Sequence, residues 1–271
     1  IKRLNAINHR FSKISVGATQ NIVMAATLAN GISTLKNCAI EPEVMDLISF
    51  LIKCGSKITI SQRTIKITGN ENLNLSNHEI IPDRIEAGSY ILAAMATKGK
   101  ITIKNFLIEH LEEPLKIFKK MGLKIKKIDT NEYLFSCSGI KPINLIQTQE
   151  YPGFPTDLQA QLITIFLKNG NQSKIKENIF ENRFIHVPEL KRFGADITLN
   201  SNTIIVNKVN ELNGAEVMAT DLRGSFSLII AALLSKGETT ISRIYHLDRG
   251  YEDFDLKLKQ CGVNIKRKNN E

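Results

Sequence analysis

The stretch RIEAGSYILAAMATKGKITIKNF, residues 84–106, contains the pattern that decides the fold. An apolar segment of about three helical turns runs towards Gly99, and a short alternating segment follows it. Glycine often ends a helix, because it adopts the left-handed backbone conformation without steric cost. The stretch therefore predicts a helix, a glycine stop and a β-strand.

The same pattern occurs four times along the chain. The other three copies are SVGATQNIVMAATLANGISTLKN (15–37), PTDLQAQLITIFLKNGNQSKIKENIF (155–180) and DLRGSFSLIIAALLSKGETTISRIY (221–245). Successive stop glycines are 68, 71 and 67 residues apart, and they are Gly31, Gly99, Gly170 and Gly237. Regular spacing of this kind indicates an internal repeat.

A second helix is predicted after each of these strands, and it also ends at a glycine. The second stop glycines follow the first ones by 24, 23, 24 and 25 residues, and they are Gly55, Gly122, Gly194 and Gly262. Alternating segments such as KITISQRTIKITG then predict further strands. The predicted unit is therefore helix–strand–helix–strand–strand, in four copies.

Units of this size cannot bury both faces of their helices alone, so several units must pack around a shared core. The first helices contain NIVMAATLA, YILAAMAT and SLIIAALL, which are apolar nearly all round, as is typical of buried helices. We therefore expect an α/β (α+β) fold in which the first helices lie inside and the sheets lie outside.

Composition narrows the class of protein. A hydrophobic content of 42% and a charged content of 23% over 271 residues are typical of a globular protein. No apolar run approaches the roughly 18 residues of a membrane-spanning helix, and the N-terminal residues lack a signal-peptide pattern. The four cysteines are far apart, without spacing for zinc or a disulfide framework. We therefore expect a cytoplasmic protein without a metal or a membrane partner.

The formal net charge of +9 favours anionic partners. Nucleic acid is the first candidate, but the lysines are scattered, tryptophan is absent and no aromatic stacking motif accompanies the charge. A general compositional bias towards lysine explains the charge better than a nucleic-acid site. An anionic small-molecule substrate is compatible with either interpretation.

Unusual polar residues recur at the predicted start of each helix. They precede the stop glycines by 11 to 14 residues, and they are Gly17, Glu43, Glu86, Glu109, Asp157, Arg183, Arg223 and Arg249. Helix N-termini attract anions and disfavour cations, so three arginines in register favour an anion pocket. The alternative is that each arginine pairs with a neighbouring acid, namely Glu181, Asp221 or Asp248.

Single motifs leave two interpretations open. Asp157, in YPGFPTDLQAQ, is expected either to cap its helix or to move a proton at the edge of a cleft. SVGATQ, with Lys13 before it, has the shape of a phosphate cradle, although a tight turn explains it equally. For His186 and His246 we expect hydrogen-bonded structural roles.

Together these motifs resemble the enolpyruvyl transferases, and within them the enzymes that act on UDP-N-acetylglucosamine. The matching segments cover nearly the whole chain in order: KISVGAT, EPEVMD, IPDRIEAGSY, FPTDLQAQ, IFENRFIHVPEL, MATDLR and IYHLDRGYE. The resemblance implies two inside-out α/β barrel domains of three repeats each, with the active site in the cleft between them. Four repeats of an expected six are then present. Residues 1–82 would be the last repeat of the first domain, and residues 83–271 the second domain without its N-terminal strand.

The resemblance also implies a reaction and its residues. The enolpyruvyl group of phosphoenolpyruvate, a co-substrate, passes to the 3'-hydroxyl of UDP-N-acetylglucosamine, and phosphate is released without a cofactor. This is the first committed step of peptidoglycan synthesis. Asp157 matches the acid–base aspartate, and we expect it to cap its helix as well. The other matches are Lys13, Ser15, Val16, Gly17 and Ile179 for the nucleotide sugar, Arg183, Arg223 and Arg249 for phosphoenolpyruvate, and Glu41, Glu43 and Asp83 in supporting roles.

The chain also departs from the family pattern. A Lys-Asn pair and a mobile loop with a cysteine or aspartate proton donor have no counterpart, and no cysteine of this chain matches that donor. We therefore expect the C-terminal two-thirds of such an enzyme, with a separate N-terminal fragment as a partner. The alternatives are a shikimate-pathway enolpyruvyl transferase, against which SVGAT, FPTDLQAQ and ENRF argue, and a non-catalytic subunit that only binds the nucleotide sugar.

Overall fold

The computed structural model describes residues 3–168 and 172–268, so the predicted stop at Gly170 lies outside the described residues. The chain divides after Pro82 into two compact units, which we call unit 1 and unit 2. Both units mix helices with strands, and the predicted α/β class is confirmed. None of the helices within the described ranges has the length and apolar character needed to cross a membrane.

Unit 1 contains one copy of the repeat. Its elements are β1 (Asn8–Arg10), α1 (Val16–Thr27), β2 (Ile32–Lys36), α2 (Pro42–Lys53), β3 (Lys57–Ser61) and β4 (Thr64–Thr68). The strands form one sheet in the order β1-β2-β4-β3, in which β1 is parallel to β2 and the other pairs are antiparallel. The predicted order of helices and strands is correct for this copy.

In unit 2 three inner helices form the core, and they are α3 (Arg84–Ala96), α5 (Gln159–Lys168) and α7 (Leu222–Leu234). Almost every residue of α3 and α5 is buried. Since these helices are surrounded by protein on all sides, their nearly uniform apolar character is explained.

The sheets and outer helices of unit 2 follow the inner helices. One sheet has the order β5-β7-β6, a second has the order β10-β11-β9-β8, and a third pairs β12 with β13. The strands are β5 (Lys100–Ile103), β6 (Lys124–Asp129), β7 (Glu132–Ser136), β8 (Leu145–Gln147), β9 (Gln172–Lys176), β10 (Asp196–Asn200), β11 (Thr203–Asn207), β12 (Glu216–Met218) and β13 (Thr240–Ser242). The outer helices are α4 (Glu112–Met121), α6 (Val187–Arg192), α8 (Tyr245–Asp248) and α9 (Phe254–Gln260).

The predicted glycine stops are used as expected at most positions. Six of the eight have φ between +86° and +114°, and they are Gly31, Gly55, Gly122, Gly194, Gly237 and Gly262. In the second copy Lys98 takes the left-handed conformation instead, with φ of +54°, and the N–H of Gly99 donates to the Ala94 carbonyl at 2.8 Å. The helix therefore ends one residue earlier than the sequence pattern predicts.

The prediction of a complete fourth unit is wrong for the described residues. Residues 263–268, which follow Gly262, form no strand. In the first three copies this strand pairs with the next one in a hairpin, as β3 does with β4. Without that partner a strand would leave a row of backbone groups unpaired. Arg267 binds Asp248 and Asp255 instead.

The expectation that all first helices are buried is wrong for α1. Met24 is 43% exposed and Leu28 is 48% exposed, whereas Val23 and Ala26 are buried. Within unit 1, α1 packs against α2 and β4. Because unit 1 contributes no second inner helix, only one side of α1 finds apolar partners there.

Candidate active site

Asp157 lies in a 3-10 turn, Thr156–Leu158, that leads into α5. The position before the turn is Pro155, and within the described residues no backbone N–H donates to the Asp157 carboxylate. The prediction that Asp157 caps its helix is therefore wrong. Its Oδ1 accepts a hydrogen bond from Nη2 of Arg183, and a guanidinium group is a stronger partner for a carboxylate than a neutral amide.

Two arginines from different segments meet at this carboxylate. Arg183 lies in the turn before α6, and its Nη1 also donates to Oγ1 of Thr156 at 2.8 Å. Arg223 is the second residue of α7, and its Nε lies 4.0 Å from Oδ1 of Asp157. We call Asp157, Arg183 and Arg223 the Asp157 cluster. Two positive charges and one negative charge leave the cluster with one positive charge in excess.

The neighbouring acids do not neutralise these arginines in the way the alternative interpretation requires. Asp221 caps α7, where its Oδ1 accepts hydrogen bonds from the backbone N–H groups of Arg223 and Gly224, both at 2.8 Å. Asp248 binds Arg267 at 2.7 Å. Arg183 contacts Asp157 rather than Glu181. The excess positive charge is therefore available to a ligand.

The guanidinium group of Arg223 is largely buried, and its side chain is 17% exposed. It lies over the ring of Tyr251, 5.6 Å from the ring centre. Its Nη1 is buried and has no hydrogen-bond partner among the described residues. A buried donor without an acceptor is unfavourable, so this nitrogen is a candidate contact for an anionic ligand.

Tyr251 is held beneath Arg223 by a buried polar network. Its hydroxyl lies 2.9 Å from Oγ of Ser89, and Nε2 of Gln161 donates to the same Ser89 oxygen at 2.9 Å. Burial raises the pKa of Tyr251, so its hydroxyl stays protonated. The network joins α3 and α5 to the residue that supports Arg223.

Arg249, the third predicted arginine, has a different environment. It is exposed at the C-terminal end of α8, not at the start of a helix, so the predicted position is wrong. The region splits into α8 and α9 because Asp253 adopts a left-handed conformation with φ of +48° just before α9. Arg249 makes no hydrogen bond or ion pair with any described residue.

Glu177 is the residue that the sequence argument missed. It is 2% exposed, and both of its carboxylate oxygens accept hydrogen bonds. The sequence did carry a signal, because Ser173 and Ile175 of β9 point inward and Glu177 continues the same alternation. A charged residue in an inward-facing register indicates a built polar site.

His186 is buried at the start of α6, close to the Asp157 cluster. Burial lowers its pKa to about 4 from 6.5, and the positive charge of Arg183 acts in the same direction. Its Nε2 has no hydrogen-bond partner in the described part of the chain, so the expected hydrogen-bonded role is not observed for that nitrogen.

In unit 1 the predicted nucleotide-sugar residues lie at the start of α1. Ser15 is the N-cap and accepts a hydrogen bond from the N–H of Ala18 at 3.3 Å, while Lys13 and Gly17 are exposed and Val16 is half-buried. A Cβ atom added to Gly17 would meet no atom within 4 Å, and its φ is not positive. Neither backbone strain nor crowding within the chain requires glycine there.

The supporting residues lie at helix starts. Asp83 caps α3, accepting from the N–H groups of Ile85 and Glu86 at 2.7 and 3.1 Å. Glu41 precedes α2 without a side-chain cap, and Glu43 is in its first turn. Ile179, of unit 2, is half-buried, and its N–H donates to Glu177 at 2.8 Å. Among the described residues no group of three His, Cys, Asp or Glu side chains is arranged to hold a metal ion.

Comparison with known proteins gives one consistent family. The family model described as EPSP synthase (3-phosphoshikimate 1-carboxyvinyltransferase) matches residues 1–258. Over 270 residues the chain is 50% identical to the UDP-N-acetylglucosamine 1-carboxyvinyltransferase of Pelagibacter ubique (strain HTCC1062), covering 99% of this chain and 64% of that protein. It is 47% identical over 268 residues to the protein of the same name from Psychrobacter sp. (strain PRwf-1), covering 98% and 62%. The chain thus spans less than two thirds of these relatives.

Solved structures of the same fold are more distant in sequence. The enolpyruvyl transferase NikO from Streptomyces tendae superimposes with a TM-score of 0.85 at 23% identity, covering 98% of this chain and 66% of that one. EPSP synthase from Acinetobacter baumannii gives a TM-score of 0.74 at 17% identity, covering 97% and 64%. At these identities the likeness establishes the fold alone.

Proposed function

The chain belongs to the EPSP synthase family, whose model matches residues 1–258, and from this premise we propose that it takes part in transfer of an enolpyruvyl group to UDP-N-acetylglucosamine. Phosphoenolpyruvate is the donor and inorganic phosphate is released. Because the chain spans 64% of the Pelagibacter relative, the complete activity, its substrates and any further polypeptide that it needs are all part of this proposal.

The single observation that carries the proposal is the position of Asp157 between two guanidinium groups. Arg183 occupies its Oδ1, whereas no described residue donates to its Oδ2. The free oxygen is thus able to accept the proton of the sugar 3'-hydroxyl as that oxygen bonds to C2 of phosphoenolpyruvate. C3 gains a proton in the same step, and the tetrahedral intermediate then loses phosphate to leave an enol ether.

The arginines would bind the two anionic groups of phosphoenolpyruvate. The Asp157 cluster has one positive charge in excess, and the buried Nη1 of Arg223 lacks an acceptor. Arg249 is exposed and has no partner among the described residues. Forked guanidinium groups bind phosphate and carboxylate through paired hydrogen bonds, which lysine does not provide.

The nucleotide diphosphate would bind at the start of α1. Free N–H groups and the helix dipole favour an anion there, and Lys13 adds a positive charge. Gly17 has open space where a side chain would fit, so the absence of a side chain is explained if a ligand approaches the backbone. We assign Lys13, Ser15, Val16 and Gly17 to this contact.

The proton donor for C3 would come from the part of the relatives that this chain does not span, supplied as a separate N-terminal segment. Three cysteines of the chain, Cys38, Cys54 and Cys137, are buried, and Cys261 ends α9. Their thiols are free, which suits a reducing compartment. We therefore propose a cytoplasmic location and a role in peptidoglycan synthesis.

The shikimate-pathway alternative has less support. Relatives that are 46 to 50% identical carry the UDP-N-acetylglucosamine name, whereas the EPSP synthase structures are 16 and 17% identical. Calorimetric titration with UDP-N-acetylglucosamine and with shikimate 3-phosphate separates the two. Binding of shikimate 3-phosphate alone would favour the alternative.

The proposal is tested by phosphate release from phosphoenolpyruvate and UDP-N-acetylglucosamine. The purified chain is assayed alone and with the remaining segment of a relative supplied as a separate polypeptide. Asp157→Asn keeps the shape of the side chain but removes the base, so activity should be lost. Asp196→Asn, which changes an exposed aspartate on β10, is the matched control. Turnover by the chain alone, or only with the added segment, supports the proposal.

Phosphate release that survives in Asp157→Asn would contradict the assigned role of this residue. An absence of turnover in both preparations, together with an absence of UDP-N-acetylglucosamine binding, would contradict the proposed function as a whole. Binding without turnover in either preparation would favour a subunit that only holds the nucleotide sugar.

A further inference from the structure

Glu177 is a buried carboxylate whose two oxygens face different segments. Its Oε1 accepts from Oγ1 of Thr148 at 2.9 Å and from the N–H groups of Ile179 and Phe180 at 2.8 and 3.1 Å. Its Oε2 accepts from Oγ1 of Thr156 at 2.8 Å. Every one of these partners is a donor, as an ionised carboxylate requires.

The carboxylate fixes the direction of a chain of hydrogen bonds. A carboxylate only accepts, so the Thr156 hydroxyl must donate its proton to Glu177. The lone pairs of the same oxygen then face Nη1 of Arg183, which donates at 2.8 Å. The other terminal nitrogen of Arg183 donates to Asp157. The order from Arg183 through Thr156 to Glu177 therefore has a single direction.

We propose that Glu177 is a positioning residue for Arg183, acting through the direction of the Thr156 hydroxyl. This goes beyond the site residues assigned above, and it rests on the proposed function only for what Arg183 binds. Glu177 contacts no substrate in this proposal. It ensures that Thr156 accepts from the guanidinium group, so that Arg183 stays beside Asp157.

Substitution by glutamine makes the proposal specific, since an amide has one donor end and one acceptor end. With the NH₂ group at the Oε1 position, it would face two backbone N–H groups and a hydroxyl donor. With the NH₂ group at the Oε2 position, only Thr156 is affected. The second orientation is favoured, and the Thr156 hydroxyl then turns its proton towards Arg183. Two donors face each other, and the contact between Thr156 and Arg183 is lost.

The first test follows Arg183 directly, without any need for turnover. In NMR spectra of the purified chain, Arg183→Lys assigns the Arg183 side-chain signals. Because Thr156 and Asp157 hold the two terminal nitrogens, those nitrogens should give separate signals in the unmodified protein. Glu177→Gln and Thr156→Val should both average them, and Thr156→Ser, which keeps the hydroxyl, should not. Unchanged signals in both Glu177→Gln and Thr156→Val would overturn the proposal.

The second test is a double-mutant cycle on phosphoenolpyruvate KM, in whichever preparation turns over. Loss of one hydrogen bond to a charged group predicts a rise of about ten- to hundredfold for Glu177→Gln. Thr156→Val should raise KM by a similar factor, and the double variant should be no worse than the single ones. Glu189→Gln is the control, since Glu189 accepts from the N–H of Met218 at 2.8 Å. Multiplicative effects of the two variants would overturn the proposal.

The two tests separate this inference from the proposed function. Averaged Arg183 signals without phosphoenolpyruvate binding in any preparation would support the positioning role of Glu177 and contradict the proposed substrate. Normal turnover with Arg183 signals that do not respond would do the reverse. Should Glu177→Gln fail to fold, the comparison of Thr156→Val with Thr156→Ser still decides whether the hydroxyl holds Arg183.

Discussion

His186 gives a quantitative test of the structure of unit 2, because its buried imidazole has to stay neutral. It is 2% exposed, and burial lowers its pKa to about 4 from 6.5. The charge of Arg183 lowers it too, while Asp221 opposes the shift. In the unfolded chain the imidazole is solvated, and its pKa returns to about 6.5.

The sign and size of the effect follow from this difference. The unfolded state binds the proton more readily, so stability falls as pH falls. The contribution of His186 is complete above pH 6.5 and is lost progressively as pH approaches 4. The gap between the two pKa values corresponds to about 3 kcal/mol in full, of which roughly 2 kcal/mol is lost between pH 7 and pH 5.

Tyrosine fluorescence during urea unfolding reports on unit 2 alone. The chain has no tryptophan, and all five tyrosines follow residue 82. Between pH 7 and pH 5 the unmodified protein should lose roughly 2 kcal/mol more stability than His186→Gln, because other titrating groups cancel in the difference. His9→Gln, at an exposed site in unit 1, should follow the unmodified protein. Equal losses in the unmodified protein and in His186→Gln would refute the reasoning.

Three further substitutions test other parts of the structure. Gly17→Ala should raise the thermal stability of unit 1 by about 0.5 kcal/mol, followed by circular dichroism, and weaken UDP-N-acetylglucosamine binding in calorimetry; tighter binding would contradict the assigned contact. Asp221→Ala should cost about 1 kcal/mol in urea unfolding, and Asp221→Asn much less, because asparagine also caps helices. Tyr251→Phe keeps a ring beneath Arg223 but removes the hydroxyl partner of Ser89, so it should cost about 1 kcal/mol, and no loss of stability would contradict the network.

The fold was predictable from the sequence where local rules decide the outcome. Six stop glycines have positive φ, and the apolar helices α3 and α5 are buried as their composition predicts. The predictions that were wrong depend on partners distant in sequence. The exposure of Met24 depends on how many inner helices unit 1 contributes, and residues 263–268 form no strand because no hairpin partner is available to them. Neither property is encoded in the segment itself.

The site was predictable in its residue types but not in its contacts. Helix starts and unexpected arginines indicated Asp157, Arg183 and Arg223, and the structure brings these three together. Arg249 has the same sequence spacing, but the left-handed Asp253 divides its helix and leaves it at a C-terminal end. One backbone angle therefore separates it from the others, and no spacing rule reports that angle.

The register of the repeat explains why Asp157 does not cap its helix. The capping residues Ser15, Asp83 and Asp221 each precede the first stop glycine of their copy by 16 residues, since 31 − 15, 99 − 83 and 237 − 221 are equal. Asp157 precedes its stop glycine by only 13 residues, in the register of Glu86 and close to that of Arg223. The capping register of the third copy holds Pro155, which has no side-chain acceptor. An aspartate placed two residues beyond the cap points away from the free N–H groups, so its carboxylate has to find another donor, and Arg183 provides one. The same residue type thus serves the helix in one register and the site in the other, and counting within the repeat distinguishes the two.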